Sequence, residues 1–505
     1  MMQVVGHLTD FGDSSITKAK VGDADLVIVR DGAVFNAFAA NCPHAGAPLA
    51  EGALCNHRLV CPWHKATFQV SDGSVLEPPA LDALIRHEVR IEGDTLLVSP
   101  RPTISQPEPP HSDNRTVLIL GSGAGGTAAA VFLREAGFGG RITLIGQEAL
   151  EPYDRTVLSK FVLADMKPSD VPPLRLDEYW AQHRVDRKAA TITRVDAAKR
   201  QVHLGDGAVL DYDAAVLATG AIAKVPALPG AKLPRVHTLR TRQDAASIVA
   251  VATKASRAVI VGSSFIGLEA ASALHERGVH VTVVSPESVP FARQFGPEIG
   301  GMFRRLHEAN GTVFRLGREV ESIAGTDGGN SVSLRGGEQL PADFIVLGVG
   351  VSPATGFVDG VQKTEDGGIL VDATLRAADG LYAIGDVARF PSGADHLRVE
   401  HWRVAQQHGR VAALNIAGIG TDYNSVPFFW TYHFGKRFEY LGHADSWDRI
   451  HVDGELEAQR FIALQILGEH VVGVVACQRE DTTARLIERM RQPLTASEAI
   501  DLLRT

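Results

Sequence analysis

Two stretches of this chain repeat one pattern, and that pattern limits the fold more than any other feature of the sequence. The first is TVLILGSGAGGTAAAVFLREAG, which starts at Thr116 and is followed by the apolar run RITLIG. The second is RAVIVGSSFIGLEAASALHERGVHVTVVS, residues 257–285. Each reads as a buried strand, a glycine turn, an alanine-rich helix and a second buried strand, which together make a βαβ unit. Two such units predict two Rossmann-like α/β nucleotide-binding domains.

The first glycine turn has the spacing Gly121-x-Gly123-x-x-Gly126. Glycines at these positions let the backbone approach a pyrophosphate that rests on the helix N-terminus. In a strand–turn–helix context the motif predicts a dinucleotide site. The carboxylate that usually holds the ribose is replaced by Gln147, with Glu148 one residue later, and we expect Gln147 to hydrogen-bond the ribose.

The second glycine turn reads Gly262-x-Ser264-x-x-Gly267-x-Glu269. Serine is small enough to permit the same close approach, so this turn also predicts a dinucleotide site. Ser285 stands where sites that prefer NAD often carry an acid, and no arginine pair marks a 2′-phosphate site. We therefore expect NADH, with NADPH left open.

Three of the four cysteines lie in NCPHAGAPLAEGALCNHRLVCPWHKATF, residues 41–68. Two loops each carry one cysteine and one histidine, spaced Cys42-x-His44 and Cys61-x-x-His64. Such a set suits zinc or iron. Zinc fingers commonly pair like ligands, whereas each pair here is mixed. An iron centre is therefore favoured, with zinc as the alternative.

The composition limits the other classes of protein. A chain of 505 residues is too long for one core, and a net charge of −9 without a long basic run argues against a nucleic-acid partner. No apolar run is long enough for a membrane span, and no signal peptide is evident. Four cysteines in this length predict a reducing compartment, the cytoplasm.

The mixed loops, which both contain proline and lie among predicted strands, resemble the Rieske [2Fe–2S] domain. In that domain two cysteines hold one iron and two histidines hold the other. The resemblance covers roughly residues 1–100 and implies that Cys42, His44, Cys61 and His64 are the ligands.

The residues around the cluster bear on its reduction potential. Positions that tie the loops by a disulfide in high-potential relatives read Ala47 and Trp63, and the two hydroxyl positions read Ala66 and Phe68. Fewer hydrogen-bond donors leave more negative charge on sulfur, so the resemblance implies a low potential of about −150 mV.

Later segments extend the resemblance to the rest of the chain. The first glycine turn, AVLATGA (215–221) and GLYAIGDVARF (380–390) occur in the order found in FAD-dependent pyridine-nucleotide reductases. The segments EPYDRTVLSK (151–160) and PFFWT (427–431) resemble oxygenase-coupled NADH–ferredoxin reductases and apoptosis-inducing-factor-like flavoproteins. With the Rieske domain in front, the whole chain is similar to the Rieske-containing, apoptosis-inducing-factor-3-like branch.

The resemblance implies roles for individual residues. Lys160 lies beside the flavin N5 edge and pairs with Glu269, His401 faces the nicotinamide, and Asp386 contacts the ribityl chain. Trp430 packs near the isoalloxazine. The other implied cofactor contacts are Gly125, Arg155, Val195, Arg240, Trp402 and Gly350.

These assignments divide the chain into a multidomain arrangement. We predict an all-β Rieske domain at 1–100 and a proline-rich linker at 101–114. An FAD domain follows in two parts, 115–236 and 357–424, on either side of an NAD(P)H domain at 237–356. A C-terminal α+β interface domain occupies 425–505. The linker is expected to let the Rieske domain dock near the flavin and then swing towards an acceptor. The C-terminal domain serves some relatives as an interface, so a homodimer is among the expectations.

The expected function is an NAD(P)H-dependent reductase that passes electrons through FAD to its own Rieske cluster and on to an unknown acceptor, which can be a protein or a small molecule. Two alternatives remain. One is a redox-sensing interaction protein with slow turnover, and the other is a flavoenzyme whose Rieske domain serves only for docking.

Overall fold

The computed structural model describes residues 1–103, 111–326, 328–393 and 395–504. Residues 104–110, half of the predicted linker, lie outside this description. Of the helices in the described residues, none is both long and apolar enough to cross a membrane.

The N-terminal domain consists of strands, as the short alternating runs predict. They form a six-stranded sheet in the order β1-β10-β9-β4-β3-β2 and a four-stranded sheet in the order β5-β6-β7-β8. The bounds are β1 Gln3–His7, β2 Ser14–Val21, β3 Ala24–Asp31, β4 Val34–Ala39, β5 Ala53–Cys55, β6 Arg58–Val60, β7 Thr67–Gln69, β8 Val75–Glu77, β9 Arg86–Glu92 and β10 Thr95–Pro102.

The first βαβ unit follows where the sequence predicts it. Strands β11 and β12 pair in parallel around the glycine turn and helix α1. The elements of this segment are β11 Thr116–Leu120, α1 Ala124–Glu135, β12 Arg141–Gly146, α2 Asp177–Gln182, β13 Val185–Ala189, β14 Ile192–Asp196, β15 Gln201–Leu204, β16 Val209–Asp211, β17 Ala214–Leu217 and β18 Ala221–Ala223.

The second βαβ unit forms the core of the next domain. Its five-stranded sheet has the order β19-β26-β20-β21-β22, and its pairs are parallel. The elements are β19 Val236–His237, α3 Arg242–Ala252, β20 Arg257–Val261, α4 Phe265–Glu276, β21 His280–Ser285, α5 Ala292–Ala309, β22 Val313–Leu316, β23 Val320–Thr326, β24 Gly329–Leu334, β25 Gln339–Ala342, β26 Phe344–Leu347 and β27 Val351–Pro353.

The chain then returns to the first Rossmann-like sheet and completes it. Strands β30 and β31 join the sheet in the order β13-β12-β11-β17-β31-β30, and helix α6 packs on α1. The elements are β28 Val358–Asp359, β29 Ile369–Leu370, β30 Arg376–Ala378, β31 Leu381–Ala383, β32 Ala388–Ser392, β33 Asp395–Leu397 and α6 Trp402–Ile416.

The C-terminal part is α+β, as predicted. A five-stranded antiparallel sheet, in the order β34-β35-β38-β37-β36, is followed by two helices. The elements are β34 Phe428–His433, β35 Lys436–Gly442, β36 Arg449–Glu455, β37 Arg460–Leu467, β38 His470–Cys477, α7 Glu480–Arg489 and α8 Ala496–Leu503. Ala53 and Val60 of the N-terminal domain share an apolar core with this domain. The Rieske-like domain is thus packed against the C-terminal domain.

Candidate active site

Two loops of the N-terminal domain bring the four predicted ligands together. Cys42 and His44 lie between β4 and β5, and Cys61 and His64 lie between β6 and β7. The two thiols are buried and lie next to each other, and the Nδ1 atoms of the two imidazoles are 3.2 Å apart. Two imidazole–metal bonds of about 2.1 Å at a tetrahedral angle place their nitrogens about 3.4 Å apart. A thiol pair and a facing imidazole pair therefore fit a [2Fe–2S] cluster with two ligands on each iron.

The backbone prepares the ligands for metal. The N–H of Cys42 donates to the carbonyl of Ala47, and the N–H of Cys61 donates to the carbonyl of Ala66, both at 2.8 Å, so the two loops turn alike. The interaction between the two thiols lowers the pKa of Cys61 to about 7 and raises the pKa of Cys42. Desolvation lowers the pKa of both histidines, which keeps them in the neutral form that binds metal.

The first glycine turn is shaped for close approach to a ligand. A Cβ on Gly121 would lie 2.1 Å from the carbonyl oxygen of Ala218, and one on Gly126 would lie 1.8 Å from the carbonyl oxygen of Gly121. Among the described residues, no atom lies within 4 Å of a Cβ built on Gly123. Helix α1 begins after this open position without a side-chain cap, so its first N–H groups can receive a phosphate. The turn fits the pyrophosphate of FAD.

Three residues predicted to contact the flavin converge beside the turn at 215–221. Arg240 donates to Asp386 Oδ2 at 2.7 Å, and Arg155 donates to the carbonyl of Arg240 at 2.9 Å. The ion pair lies against Gly220, whose Cβ would be 3.2 Å from the Arg240 guanidinium. Segments more than 200 residues apart in sequence, at Arg155 and Asp386, thus meet at one site.

The second glycine turn has the same construction. A Cβ on Gly262 would lie 2.3 Å from the carbonyl oxygen of Gly348, and Ser264 precedes the first residue of α4 without a side-chain capping bond. Gly350 has φ +95° and, within the described chain, open space where its Cβ would be. These features fit a second dinucleotide with room for its nicotinamide. Gly267 lies as close to the turn as Gly126 does in the first site, since its Cβ would be 2.2 Å from the Gly262 carbonyl oxygen.

The predicted catalytic pair is formed. Lys160, in a π-helical turn at Leu158–Val162, donates to Glu269 Oε2 of helix α4 at 3.1 Å. Both side chains are buried. Glu269 also accepts from Ser159 at 2.5 Å and from Thr431 at 2.6 Å. A buried carboxylate with this many donors is held in one position.

Trp430 connects the Lys160–Glu269 pair to the two loops that carry the predicted cluster ligands. Its ring centroid lies 5.4 Å from that of His64, and the Lys160 ammonium lies 4.8 Å from the centre of its ring. Asp154, in the segment that carries Lys160, opposes the desolvation effect on the pKa of His44. The imidazole of the predicted ligand His64 therefore faces the reductase part of the chain.

A buried ionic network holds the N-terminal domain in this position. Glu77 accepts from Arg403 at 2.7 Å and from Gln407 at 2.8 Å, both on helix α6. Arg403 also donates to the carbonyl of Lys65 at 2.8 Å, and the fully buried Lys65 pairs with Glu439 at 3.1 Å. Sequence reasoning missed these residues because charges so far apart along the chain carry no local signal.

The structure places the remaining predicted residues as follows. His401 packs against Phe429 with ring centroids 4.4 Å apart. Its Nδ1 atom is buried without a hydrogen-bond partner in the described structure, and burial lowers the pKa of His401 to about 3. Trp402 begins α6, Val195 is buried in β14, and Gln147 is exposed. Their contacts with the cofactor stay predictions.

Glu148, beside Gln147, organises the segment that carries Arg155. It accepts from the Tyr153 hydroxyl at 2.8 Å and pairs with Arg155. Burial raises the pKa of Tyr153 to about 12, so its hydroxyl remains a donor. The sequence predicted the ribose position, at 147–148, and the Arg155 segment as separate features. In the fold, the contacts of Glu148 with Tyr153 and Arg155 join the two.

The site combines two dinucleotide-binding glycine turns with a buried Lys–Glu ion pair and two loops that each carry one cysteine and one histidine. This combination is typical of a flavin-dependent pyridine-nucleotide oxidoreductase with a Rieske domain. Comparison with known families agrees. The pyridine nucleotide-disulphide oxidoreductase model matches residues 115–409, and the Rieske [2Fe-2S] domain model matches residues 1–90.

Similar proteins cover most of the chain. Apoptosis-inducing factor 3 of Mus musculus is 32% identical, over 96% of this chain and 83% of its own. Rhodocoxin reductase of Rhodococcus erythropolis is 35% identical, over 76% of this chain and 92% of its own. A crystal structure of a covalent putidaredoxin reductase–putidaredoxin complex matches with a TM-score of 0.71 and 27% identity, over 77% of this chain and 96% of that one.

The chain belongs to the pyridine nucleotide-disulphide oxidoreductase family and carries a Rieske [2Fe–2S] domain in front of it. It is an oxidoreductase of the ferredoxin-reductase type, whose domains imply FAD, NAD(P)H and a [2Fe–2S] cluster as cofactors.

Proposed function

We propose that this protein takes electrons from NADH and passes them through FAD to its own Rieske cluster, which delivers them to a separate acceptor. The observation that carries the proposal is that the Trp430 side chain lies between Lys160 and His64. Lys160 belongs to the predicted flavin site and His64 to the predicted cluster, and the indole of Trp430 touches both.

Bound FAD would supply the conversion between the two electrons of a hydride and the single electrons that a [2Fe–2S] cluster accepts. The chain contributes position and charge. Lys160 places a cation at the edge where reduction adds negative charge, and Glu269 limits the net charge of the site.

The docked Rieske domain makes a separate ferredoxin unnecessary for the first transfer. Rhodocoxin reductase and putidaredoxin reductase are named for proteins that are distinct from them. In this chain the carrier is fused, and Glu77 and Lys65 hold it on the reductase. The acceptor after the cluster belongs to one of three classes, an oxygenase, a cytochrome or a quinone.

Two further assignments belong to the proposal. We assign NADH as the donor, because the Glu287 carboxylate lies 3.4 Å from Ser263 Oγ at the end of β21, where it would repel a 2′-phosphate. We place the protein in the cytoplasm, since no disulfide joins any of Cys42, Cys55, Cys61 and Cys477, as is usual in a reducing compartment.

An anaerobic titration with NADH tests the route. Visible absorbance follows the flavin, and electron paramagnetic resonance follows the cluster. Trp430→Leu removes the bridging indole, and we expect it to slow the appearance of the cluster signal at least tenfold while flavin bleaching continues. Trp447→Leu is the matched control, because Trp447 is half-buried in the same domain and lies beside Gly296 instead.

Each result has a clear meaning. A reduced Rieske signal in the unchanged protein supports internal electron transfer. Bleached flavin with an oxidised cluster, together with slow turnover, would contradict the route and favour the redox-sensing alternative. An equal effect of Trp430→Leu and Trp447→Leu would remove Trp430 from the path.

A further inference from the structure

A buried chain of hydrogen bonds leads away from the catalytic pair on the side of Glu269. The Thr431 hydroxyl donates to Glu269 Oε1 at 2.6 Å. Thr431 Oγ1 also lies 2.9 Å from His433 Nε2, and His433 Nδ1 lies 3.2 Å from His307 Nε2. Glu269, Thr431, His433 and His307 are all buried.

This series of hydrogen bonds ends at His307. His307 Nδ1 is buried and has no hydrogen-bond partner among the described residues. The reductase mechanism proposed above uses neither histidine. Burying a ring nitrogen without a hydrogen-bond partner costs free energy of folding, so this atom calls for a functional explanation.

We propose that these residues form a proton relay that carries a proton from Glu269 to His307 Nδ1 and out of the site. The inference rests on the proposed electron transfer, because that reaction must release a proton. A hydride carries two electrons and one proton, whereas an acceptor such as the cluster takes electrons alone. The sum is NADH plus two oxidised acceptors giving NAD⁺, two reduced acceptors and one H⁺.

The transfer can be followed atom by atom. With Glu269 protonated, its O–H donates to Thr431, Thr431 donates to His433 Nε2, and the Nδ1–H of His433 donates to His307 Nε2. His307 then carries its own proton on Nδ1. When each proton moves one step outward, His307 passes that proton to water on the side of the half-buried His275, and Glu269 is again a carboxylate that accepts from Thr431.

The end state agrees with the contacts in the structure. Thr431 donates to Glu269, and His307 Nδ1, which gives up its proton in the relay, has no hydrogen-bond partner among the described residues. Each histidine changes tautomer without becoming charged. Neutral rings are what this location permits, because burial lowers the pKa of His307 to about 3 and that of His433 well below its usual range.

The groups around the relay are few. The nearby imidazole of His307 and the Lys160 ammonium lower the pKa of His433, whereas a hydrogen bond to the carbonyl of Leu268 on α4 raises it. His275, half-buried on α4, faces His307 and lowers its pKa further. The rings of His275 and His307 both contact Phe434, so the half-buried His275 lies near the last residue of the relay.

A proton-release measurement tests the relay separately from electron transfer. Holoenzyme reduced with one equivalent of NADH is mixed anaerobically with ferricyanide in weak buffer that contains a pH-indicator dye. Thr431→Val keeps the shape of the side chain but removes the hydroxyl, and His433→Gln keeps hydrogen bonding but cannot exchange tautomers. We expect both to release the proton about 10²-fold more slowly than the unchanged protein, with added imidazole restoring part of the rate to His433→Gln.

Two controls match these changes. Thr431→Ser keeps the hydroxyl and should release the proton at the rate of the unchanged protein. His237→Gln removes a half-buried imidazole in β19, outside the relay, and should also have no effect. Unaltered proton release in Thr431→Val or His433→Gln, or the same loss in Thr431→Ser, would overturn the relay.

A measurement on the unchanged protein covers the case in which a variant fails to fold. Nitrogen-15 spectra of labelled histidine should show His433 and His307 as neutral Nε2–H tautomers in the oxidised holoenzyme. A charged ring or an Nδ1–H tautomer at both positions would contradict the proposal. Failure of the electron route would instead show as a silent cluster signal, because ferricyanide draws electrons, and therefore protons, whether or not the cluster is on the path.

Discussion

Glu269 is the residue on which the site converges. It accepts hydrogen bonds from Ser159, Lys160 and Thr431, which come from two distant segments of the chain. Charge-assisted bonds of this kind are stronger than neutral ones, and in a buried site they fix the donors as well as the acceptor. The position of the Lys160 ammonium, on which fast reduction should depend, is therefore set by residues outside the flavin pocket.

Lys160→Met tests the electrostatic role of that ammonium. Methionine fills a similar volume but carries no charge, so negative charge that develops at the flavin edge loses its partner. We expect the rate of flavin bleaching by NADH in single-turnover stopped-flow experiments to fall about 10²-fold. Lys188→Met, which removes a more exposed lysine paired with Asp206, should leave that rate unchanged. Equal rates in both variants would contradict a role for Lys160.

At the scale of elements, helix α6 serves two domains at once. Its first turns carry Arg403 and Gln407, which bond Glu77 of strand β8, while Gly409 on the same helix lies against Gly125 of α1. A Cβ on Gly409 would lie 2.4 Å from the Gly125 carbonyl oxygen, so the approach of the two helices requires glycine. The helix thus ties the Rieske domain to the FAD domain. The structure thus shows the docked arrangement, and the swinging motion expected from the linker stays a prediction.

Glu77→Gln should loosen that attachment. It leaves the buried Arg403 guanidinium without its carboxylate, and breaking a buried pair by removing one partner costs about 3–5 kcal/mol. Hydrogen–deuterium exchange should rise in both β8 and the start of α6, and the cluster should be reduced more slowly by NADH. Glu88→Gln, at an exposed pair with Arg90, should change neither. Unchanged exchange in Glu77→Gln would show that the network does not hold the domains together.

At the scale of the whole molecule, the buried histidines connect stability to pH. His307 and His408 are fully buried, and burial lowers the pKa of each to about 3. In the unfolded chain their pKa is about 6.5, so between these values the unfolded state binds more protons. The contribution of these two histidines to the free energy of unfolding is therefore fully present above pH 6.5 and is lost as the pH falls below that value.

The expected loss at pH 5 is about 2 kcal/mol for each of the two histidines, from a difference of about 1.5 pH units. Thermal unfolding midpoints at pH 7 and pH 5 measure it. The double variant His307→Gln/His408→Gln should show a flatter dependence on pH between these values. The same slope in the double variant would mean that other groups dominate.

The class of the protein could be predicted from the amino-acid sequence alone. The glycine turns, the mixed Cys–His loops and the ordered flavin segments are local patterns, because a turn, a cap or a metal loop draws its geometry from residues close together in the chain. The Rieske domain and the Rossmann-like domains were predictable for that reason, and so was the pairing of Lys160 with Glu269 once the family was clear.

The contacts that lie between those sites could not be predicted and are seen in the folded protein. Trp430 beside His64, Arg403 on Glu77, and the relay from Thr431 to His307 each join segments that are distant in sequence. Buried ionic and hydrogen-bonded contacts of this kind depend on how whole domains pack, and a polar residue that will be buried carries no periodic signal in the sequence. The electron route and the proton route are therefore properties of the assembled fold.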